Sequence, residues 1–316
     1  MQISRRNFIG GALAAGAAAS VPALVQGARW KAGVAVQLYS IREYIGGKKD
    51  GSVKGVGLPK ALADVKALGY GAVEFAGYYN FSASDLKKML DDNGLVACGT
   101  HVHRSAFEPK TIQKTIDFNL GFGNRHLVCP GSGMWPDKKW DKGYDEWWKR
   151  MVEFYAKAAD TANKSGCTLG YHNHTREFEK PVAMKDGTLM WDYFFSNTPQ
   201  NVCMQQDVGW TTAAGQDPCY WFKRFPHRAP SLHAKENGCL TDGKGKRIWA
   251  DHFEGILGQP GSFNDGRKVK GVDWDKLFPV TDADGVKWYV VECEKNAANL
   301  TAIDASLKFL KGKGLV

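Results

Sequence analysis

A ten-residue stretch, LGYHNHTREF at residues 169–178, concentrates side chains that bind metal ions or move protons. His172 and His174 stand two positions apart and Glu177 follows soon after, all behind an apolar run that predicts a buried strand. Side chains two apart on a strand share a face, so both imidazoles should point the same way. Imidazole serves as a metal ligand and, near neutral pH, as a general base. The stretch predicts either a metal and proton-transfer site or a polar loop.

Titratable side chains also stand at the ends of other apolar runs: Glu74, His101 and His103, Asp207, His233 with Lys235, and Glu292 with Glu294. Asp207 alone could be a turn cap, and His233 alone a satisfied core histidine. Glu292 follows Trp-Tyr-Val-Val, and a carboxylate buried there is unfavourable unless a cation or a donor meets it. Together the three offer mixed oxygen and nitrogen ligands, which suit Mn²⁺, Zn²⁺, Co²⁺ or Mg²⁺.

Eight short apolar runs alternate with helical patterns, and they predict the elements that must position these side chains. The strands are expected at 34–40, 72–75, 96–103, 126–129, 168–174, 202–207, 231–234 and 287–292. The helices are expected at 59–68, 82–92, 110–118, 144–164, 191–197, 218–224 and 301–310. This order favours a single-domain α/β fold, the parallel (β/α)8 TIM barrel, over a doubly wound sheet. Because such barrels carry their chemistry at the carboxyl ends of the strands, the polar residues above should converge.

Other features narrow the class of protein. The chain has neither GxGxxG nor GxxxxGK[ST], so nucleotide binding loses its main support. Its net charge of +9 is spread over isolated lysines and arginines, which disfavours nucleic acid as a partner. The seven cysteines lack metal-binding spacing and are expected to be buried in or near strands rather than paired. A long segment rich in glycine and lysine, 236–271, is expected to be a lid or active-site loop.

The amino terminus has the form of an export signal. Ser4-Arg5-Arg6-Asn7-Phe8 precedes a weakly apolar run, which predicts a twin-arginine signal peptide over residues 1–28 and cleavage near Ala28. Glycines and a proline interrupt the apolar run, so no stable membrane insertion is expected after signal removal. Residues 29–316 would then be the mature barrel, in the periplasm or otherwise exported. The sequence does not determine whether the protein forms a homo-oligomer.

Six segments in this order resemble the xylose isomerase-like TIM barrel family, also called sugar phosphate isomerases/epimerases. The segments are VAVQLYSIRE, GYGAVEFAG, LGYHNHTREF, QQDVGWTTAAGQDP, SLHAKEN and WYVVECE. The family includes hexulose epimerases, inosose dehydratase and dehydroshikimate dehydratase and, more distantly, DNA repair enzymes of the endonuclease IV type. The resemblance covers nearly the whole mature chain and implies one divalent metal ion, most often manganese.

The resemblance also implies roles for individual residues. Asp207, His233 and Glu292 match three metal ligands, whereas the fourth position, a glutamate in the family, is occupied by His172. Either His172 binds the metal or Glu177 reaches back to it. His174 is the first choice for the catalytic base and Glu177 the second. The sugar pocket would be lined by Glu74, His101 and Lys235, with Trp210 and the tryptophans at 135 and 140 stacking on sugar faces.

The implied reaction is abstraction of a proton next to a carbonyl group of a small carbohydrate. Isomerisation or epimerisation is the main expectation, with metal-dependent cleavage of 3-keto-glycosides by elimination as the alternative. Export favours free sugars and glycosides over phosphorylated intermediates. A non-catalytic exported sugar-binding barrel is a second alternative. A repair nuclease is disfavoured, because it would need more metal-ligating histidines and would be exported away from the genome.

Overall fold

A computed structural model describes residues 32–136, 144–242 and 246–315. The expected signal peptide and the tryptophan at position 140 lie outside them. Eight parallel strands close into a barrel in the order β1-β10-β7-β6-β5-β4-β3-β2. These strands are β1 (Gly33–Gln37), β2 (Ala72–Ala76), β3 (Val96–His101), β4 (His126–Pro130), β5 (Thr168–His172), β6 (Val202–Asp207), β7 (Ser231–Ala234) and β10 (Trp288–Val291). The single-domain (β/α)8 barrel is therefore confirmed.

Ten α-helices surround the barrel in the described part of the chain. They are α1 (Arg42–Gly46), α2 (Leu58–Leu68), α3 (Ala83–Asn93), α4 (Ile112–Gly121), α5 (Tyr144–Lys164), α6 (Met190–Asn197), α7 (Val208–Ala213), α8 (Pro218–Arg224), α9 (Trp274–Asp284) and α10 (Thr301–Gly312). All seven expected helices are present, and α5 and α8 have the expected bounds. The sequence patterns missed α1, α7 and α9. The first two are short, and α9 carries an internal proline, Pro279, which weakens its helical signal.

Four strands, β1, β3, β5 and β10, end earlier than expected, and one of these ends changes an argument made from the sequence. Strand β5 stops at His172, so His174 lies in the following loop rather than on the strand. The expectation that both imidazoles share a strand face is therefore wrong. Their rings are 5.4 Å apart and nearly perpendicular. Similarly, β1 stops at Gln37 because that side chain accepts from the backbone N–H of Tyr39 and starts a 3₁₀ turn.

The apolar core lies between the barrel and the helices. Aromatic side chains from α5, β5 and α6 fill one side of it, with Tyr171 packed against Phe194 at 5.3 Å and Trp191 at 5.4 Å between ring centres. The barrel interior differs, because many inward side chains are polar and fully buried, among them Gln37, Glu74 and Gln205. All seven cysteines are buried and unpaired, as expected.

The segment 236–271 is an ordered insertion where the structure describes it. It contains a two-stranded antiparallel hairpin, β8 (Cys239–Thr241) and β9 (Arg247–Trp249). Glu236 is buried at the start of the insertion and forms hydrogen bonds with residues at the end of the insertion. The Glu236 carboxylate accepts at 2.8 Å from the backbone N–H groups of Gly258 and Val272 and from the indole N–H of Trp274. The function of the segment 236–271 as a lid remains a prediction.

We predict that Glu236→Gln loosens the insertion. A carboxylate accepts all of these donors, whereas an amide has one oxygen and turns its own N–H groups toward buried N–H groups. The free energy of unfolding should fall by about 3 kcal/mol, and the insertion should become sensitive to limited proteolysis. Asp265→Asn, an exposed change in the same insertion, is the control and should leave both measurements nearly unchanged. Equal behaviour of the two variants would contradict the anchoring role.

Candidate metal centre and proton-transfer site

His233, on β7, lies between two carboxylates in the barrel core. Its Nδ1 is 2.6 Å from Oε2 of Glu292, and its Nε2 is 2.5 Å from Oε2 of Glu74. Burial by itself lowers the pKa of His233, but the two carboxylates outweigh it and raise this pKa to about 10. Burial raises the pKa of Glu292, yet Lys235 and His233 hold it well below its ordinary value. His233, Glu74 and Glu292 therefore form a charged, mutually compensating group that is buried in the barrel.

Four of the predicted metal ligands come together at the carboxyl ends of consecutive strands. One donor atom each from His172, Asp207, His233 and Glu292 lies within 4.8 Å of all the others. Nε2 of His172 is 3.9 Å from Oδ2 of Asp207. Burial raises the pKa of Asp207 to about 6, although Lys235 acts in the opposite direction. All four side chains are buried.

Two buried atoms in this group have no hydrogen-bond partner among the described residues: Oδ2 of Asp207 and Nδ1 of His172. The other oxygen of Asp207 accepts from the backbone N–H of Trp210 at 2.8 Å and caps α7, which aims Oδ2 at the group. Buried polar atoms are rarely left unsatisfied in folded proteins. Two imidazoles and two carboxylates fit a divalent ion in both charge and donor chemistry.

Asn173, between the two histidines, holds the ends of β5 and β6 together. Its Oδ1 accepts from the backbone N–H of Asp207 at 3.0 Å, and its Nδ2 donates to Oγ1 of Thr211 at 3.2 Å. This link sets the position of Asp207 relative to His172. The sequence patterns assigned Asn173 no role, although its place in His-Asn-His was the available signal.

Glu74 contacts Nε2 of His233 and is fully buried. Gln37 donates to its Oε2 at 2.7 Å, and Gln205 donates to its Oε1 at 2.6 Å. Burial raises the pKa of Glu74, but His101 and His233 lower it to about 2. The expected contact between Glu74 and substrate does not fit this arrangement, because the Glu74 oxygens are enclosed by protein donors. The signal for Gln205 was a polar Gln-Gln-Asp run closing a buried strand.

His101 is half-buried beside Glu74. Its Nε2 is 2.7 Å from Oε1 of Gln205 and 3.1 Å from Oε2 of Glu74. His101 therefore lies against the carboxylate that supports His233, while its hydrogen bond goes to Gln205. His103 lies outside this cluster, where its exposed ring caps the turn at Ser105.

His174 and Glu177 occupy different environments in the loop after β5. His174 is partly exposed, and burial, followed by the charge of Lys235, lowers its pKa to about 3. Glu177 has no exposed surface, and burial raises its pKa to about 7. Its oxygens accept from the Tyr171 hydroxyl at 2.6 Å and from the His174 backbone N–H at 2.9 Å. Glu177 therefore supports the His174 loop from behind, and the structure brings His172, not Glu177, into the ligand group.

Lys235 and Trp210 form the wall next to the ligand group. Nζ of Lys235 is 2.9 Å from Oε1 of Glu294, 3.3 Å from Glu292 and 3.4 Å from Asp207. Trp210 is only 2% exposed, with Lys235 4.5 Å and the Arg247 guanidinium 4.4 Å from its ring centre. The expected stacking of Trp210 on a sugar face does not fit this arrangement, because the ring offers no open face.

The other tryptophan expected to stack on sugar is Trp135. The guanidinium of Arg176 lies 4.1 Å from its ring centre, and Trp148 packs against it edge-on at 5.2 Å. Arg176 and Arg247 thus each cover a tryptophan. No sequence pattern predicted either pairing.

A family model described as xylose isomerase-like TIM barrel matches residues 62–313. The chain belongs to this family. A second model, the twin-arginine translocation signal sequence, matches residues 2–22 and confirms the expected export route. Among the described residues no helix is both long enough and apolar enough to cross a membrane.

The family contains curated relatives that are similar along most of this chain. An inosose dehydratase from Lacticaseibacillus casei is 23% identical over 286 residues, covering 82% of this chain and 89% of that protein. The rhizopine catabolism protein MocC from Rhizobium meliloti is 26% identical and covers 76% of this chain and 75% of its own.

Solved structures repeat the same fold at low sequence identity. A sugar phosphate isomerase/epimerase from Parabacteroides distasonis has a TM-score of 0.66 at 23% identity, covering 90% of this chain and 99% of its own. The IOLI protein with a bound zinc atom has a TM-score of 0.60 at 12% identity, covering 90% and 96%. An L-ribulose 3-epimerase also has a TM-score of 0.60, at 16% identity, covering 90% and 94%. At these identities the likeness shows the fold alone.

We predict that metal binding releases a proton from His233. Because its pKa is raised to about 10, the imidazole of the metal-stripped protein is protonated near neutral pH and must lose that proton to become a ligand. Calorimetry in buffers of different ionisation enthalpy should show about one proton released per ion, and the apparent affinity should fall as pH falls. Binding without proton release would contradict the protonated state.

Proposed function

We propose that the protein is a divalent-metal-dependent carbohydrate isomerase or epimerase that removes a proton next to a carbonyl group. The observation that carries this proposal is the buried group of His172, Asp207, His233 and Glu292 beside the partly exposed His174. Relatives named inosose dehydratase and a structural neighbour named L-ribulose 3-epimerase support the carbohydrate class.

His172, Asp207, His233 and Glu292 would hold the metal, for which the family resemblance favours manganese. A divalent ion at this position supplies Lewis-acid polarisation of a substrate carbonyl and stabilises the negative charge that develops when a neighbouring proton leaves. Glu74 orients His233 by accepting from Nε2 while Nδ1 faces Glu292. Such a carboxylate behind a ligating histidine sets its tautomer and ring orientation.

His174 is the proposed base. Its low pKa keeps the imidazole neutral near pH 7, so a lone pair is available, and its partial exposure lets substrate approach. Glu177 positions it through the backbone N–H of His174 rather than by direct contact with substrate. Lys235, held by Glu294, presents a cation beside the same space and would bind a substrate hydroxyl or carbonyl oxygen.

Cleavage of 3-keto-glycosides by elimination is the second candidate. It uses the same base and the same polarised carbonyl and differs only after the proton has been removed, because a β-substituent then leaves instead of a proton returning. The dehydratase relatives favour it, since a dehydratase also expels a β-substituent. A sugar-binding barrel without catalysis would not need the neutral, accessible His174.

We also propose that residues 1–28 are removed on export and that residues 29–316 act as the mature enzyme in the periplasm. The twin-arginine match over residues 2–22 supports this division, which places the barrel after the signal. The partners would be small carbohydrates, with no nucleic acid among them.

The direct test is incubation of the metal-loaded protein in heavy water with free sugars and with their 3-keto-glycosides. Deuterium uptake with an isomeric product would support the isomerase or epimerase, and release of the aglycone would support the lyase. Sugar binding without deuterium uptake or product would leave the binding barrel.

The variant His174→Gln should bind metal normally yet lose exchange of the substrate α-hydrogen by about 100-fold or more. Glutamine keeps polarity but cannot accept the proton as a base. Exchange is read by proton NMR in heavy water, and metal content by mass spectrometry. His252→Gln, which changes a histidine in the insertion, should leave both unchanged. Retained exchange in His174→Gln would move the role of base to Glu177.

The variant Asp207→Asn should purify with little metal. Asparagine keeps the oxygen that caps α7 at the Trp210 N–H but loses the negative charge that a divalent ion requires. Asp217→Asn is a matched control, because Asp217 caps α8 in the same way through the Cys219 N–H at 2.9 Å. Full metal occupancy in Asp207→Asn would refute the ligand assignment.

A further inference from the structure

The described residues contain two overlapping groups that could hold a metal ion. One is His101, His172 and His233, and the other is His172, Asp207, His233 and Glu292. The first offers nitrogen alone and the second two nitrogens and two oxygens. Since nitrogen and oxygen donors favour different metals, the choice between them determines which ion the protein selects.

The side-chain amide of Gln205 separates the two groups. One side of this amide is 2.6 Å from Oε1 of Glu74 and 2.9 Å from Oγ of Ser231. The side facing the Glu74 carboxylate must be the NH₂ group, because a carbonyl there would place oxygen against oxygen. The carbonyl oxygen of Gln205 therefore faces Nε2 of His101, 2.7 Å away.

His101 must then donate its Nε2 proton to Gln205. The carboxylate of Glu74, 3.1 Å from the same nitrogen, also favours that proton. A protonated nitrogen has no lone pair for a metal, so Nε2 of His101 is outside the ligand set and only its Nδ1 keeps a lone pair. By contrast, Oδ2 of Asp207 lacks a hydrogen-bond partner among the described residues, although the Lys235 ammonium lies 3.4 Å from it. The two carboxylates of the second group also neutralise a divalent ion in a buried site, which three neutral imidazoles alone cannot do.

We infer that two imidazoles and two carboxylates hold the metal, and that His172 is the residue that increases the preference of the site for Zn²⁺ and Co²⁺ over Mn²⁺ and Mg²⁺. Imidazole nitrogen suits zinc and cobalt, whereas carboxylate oxygen suits magnesium and manganese. His233 supplies one nitrogen, and its hydrogen bonds to Glu74 and Glu292 fix its place. His172 supplies the other. This inference rests on the metal site of the proposed function but departs from the manganese that the resemblance favours.

The test compares the full chain with its His172→Glu variant, in which the second nitrogen becomes a carboxylate. Dissociation constants for Zn²⁺ and Mn²⁺ are measured on metal-stripped protein by competition with a chelator. The ratio of zinc affinity to manganese affinity should fall by about tenfold or more in His172→Glu. In the Cu²⁺-loaded proteins, pulsed electron paramagnetic resonance should count two imidazole nitrogens in the unchanged chain and one in the variant.

Further variants make the outcome decisive. His172→Gln removes the nitrogen without adding charge, so it gives the same nitrogen count if His172→Glu fails to fold. His101→Gln should keep both nitrogens, and His252→Gln should change neither measurement. An unchanged affinity ratio and nitrogen count in His172→Glu and His172→Gln, or the loss of a nitrogen in His101→Gln, would overturn the inference. Failure of the unchanged chain to bind either ion would instead overturn the proposed metal site itself.

Discussion

The structure of the site depends on one electrostatic arrangement, the burial of His233 between Glu74 and Glu292. Each carboxylate would be strongly unfavourable in the barrel core by itself, and so would the imidazolium. Together they compensate, and because they come from β2, β7 and the residue after β10 they connect strands that are distant in the sequence. Removal of one member would leave a buried charge unpaired, which is among the most destabilising changes in a protein.

The same constraint explains why this barrel has a polar interior. Barrels of this type usually fill with layers of branched apolar side chains. Here the Gln205 amide donates to both Glu74 and Ser231. The Ser231 hydroxyl lies 3.2 Å from Nε2 of His126. Nδ1 of His126 in turn lies 2.7 Å from the Thr168 hydroxyl. Polar contacts thus continue from the mouth toward the amino ends of the strands. These contacts hold the charged group in one arrangement.

The proposed chemistry lies at the edge of this buried group. Glu74 and Glu177 are enclosed, and each orients a histidine, His233 in one case and His174 in the other. His174 combines a neutral ring with partial exposure, whereas Nε2 of His101, the other partly exposed histidine of the cluster, is held by Gln205. The insertion adds a second boundary, because its β9 strand places Arg247 against Trp210 beside the site. Supporting side chains are thus buried, and the proposed base faces the space where substrate would bind.

The amino-acid sequence by itself determined the order of the elements and the residue types at the strand ends. Apolar runs bounded by turn residues identified β6, β7, α5 and α8 with their observed bounds, because these signals are local. The convergence of Asp207, His233 and Glu292 also followed from the sequence, since the carboxyl ends of parallel strands share one end of a barrel.

Tertiary structure alone decided which partner each polar side chain meets. Glu74 contacts His233, 159 positions away, and Arg247 covers Trp210. The sequence predicted that Glu74 and Trp210 would contact a sugar, but neither side chain is open to one. Strand β5 ended at His172, which separated the two histidines of His-Asn-His. Such pairings depend on burial and on distances between remote segments, and short-range sequence patterns contain no record of either.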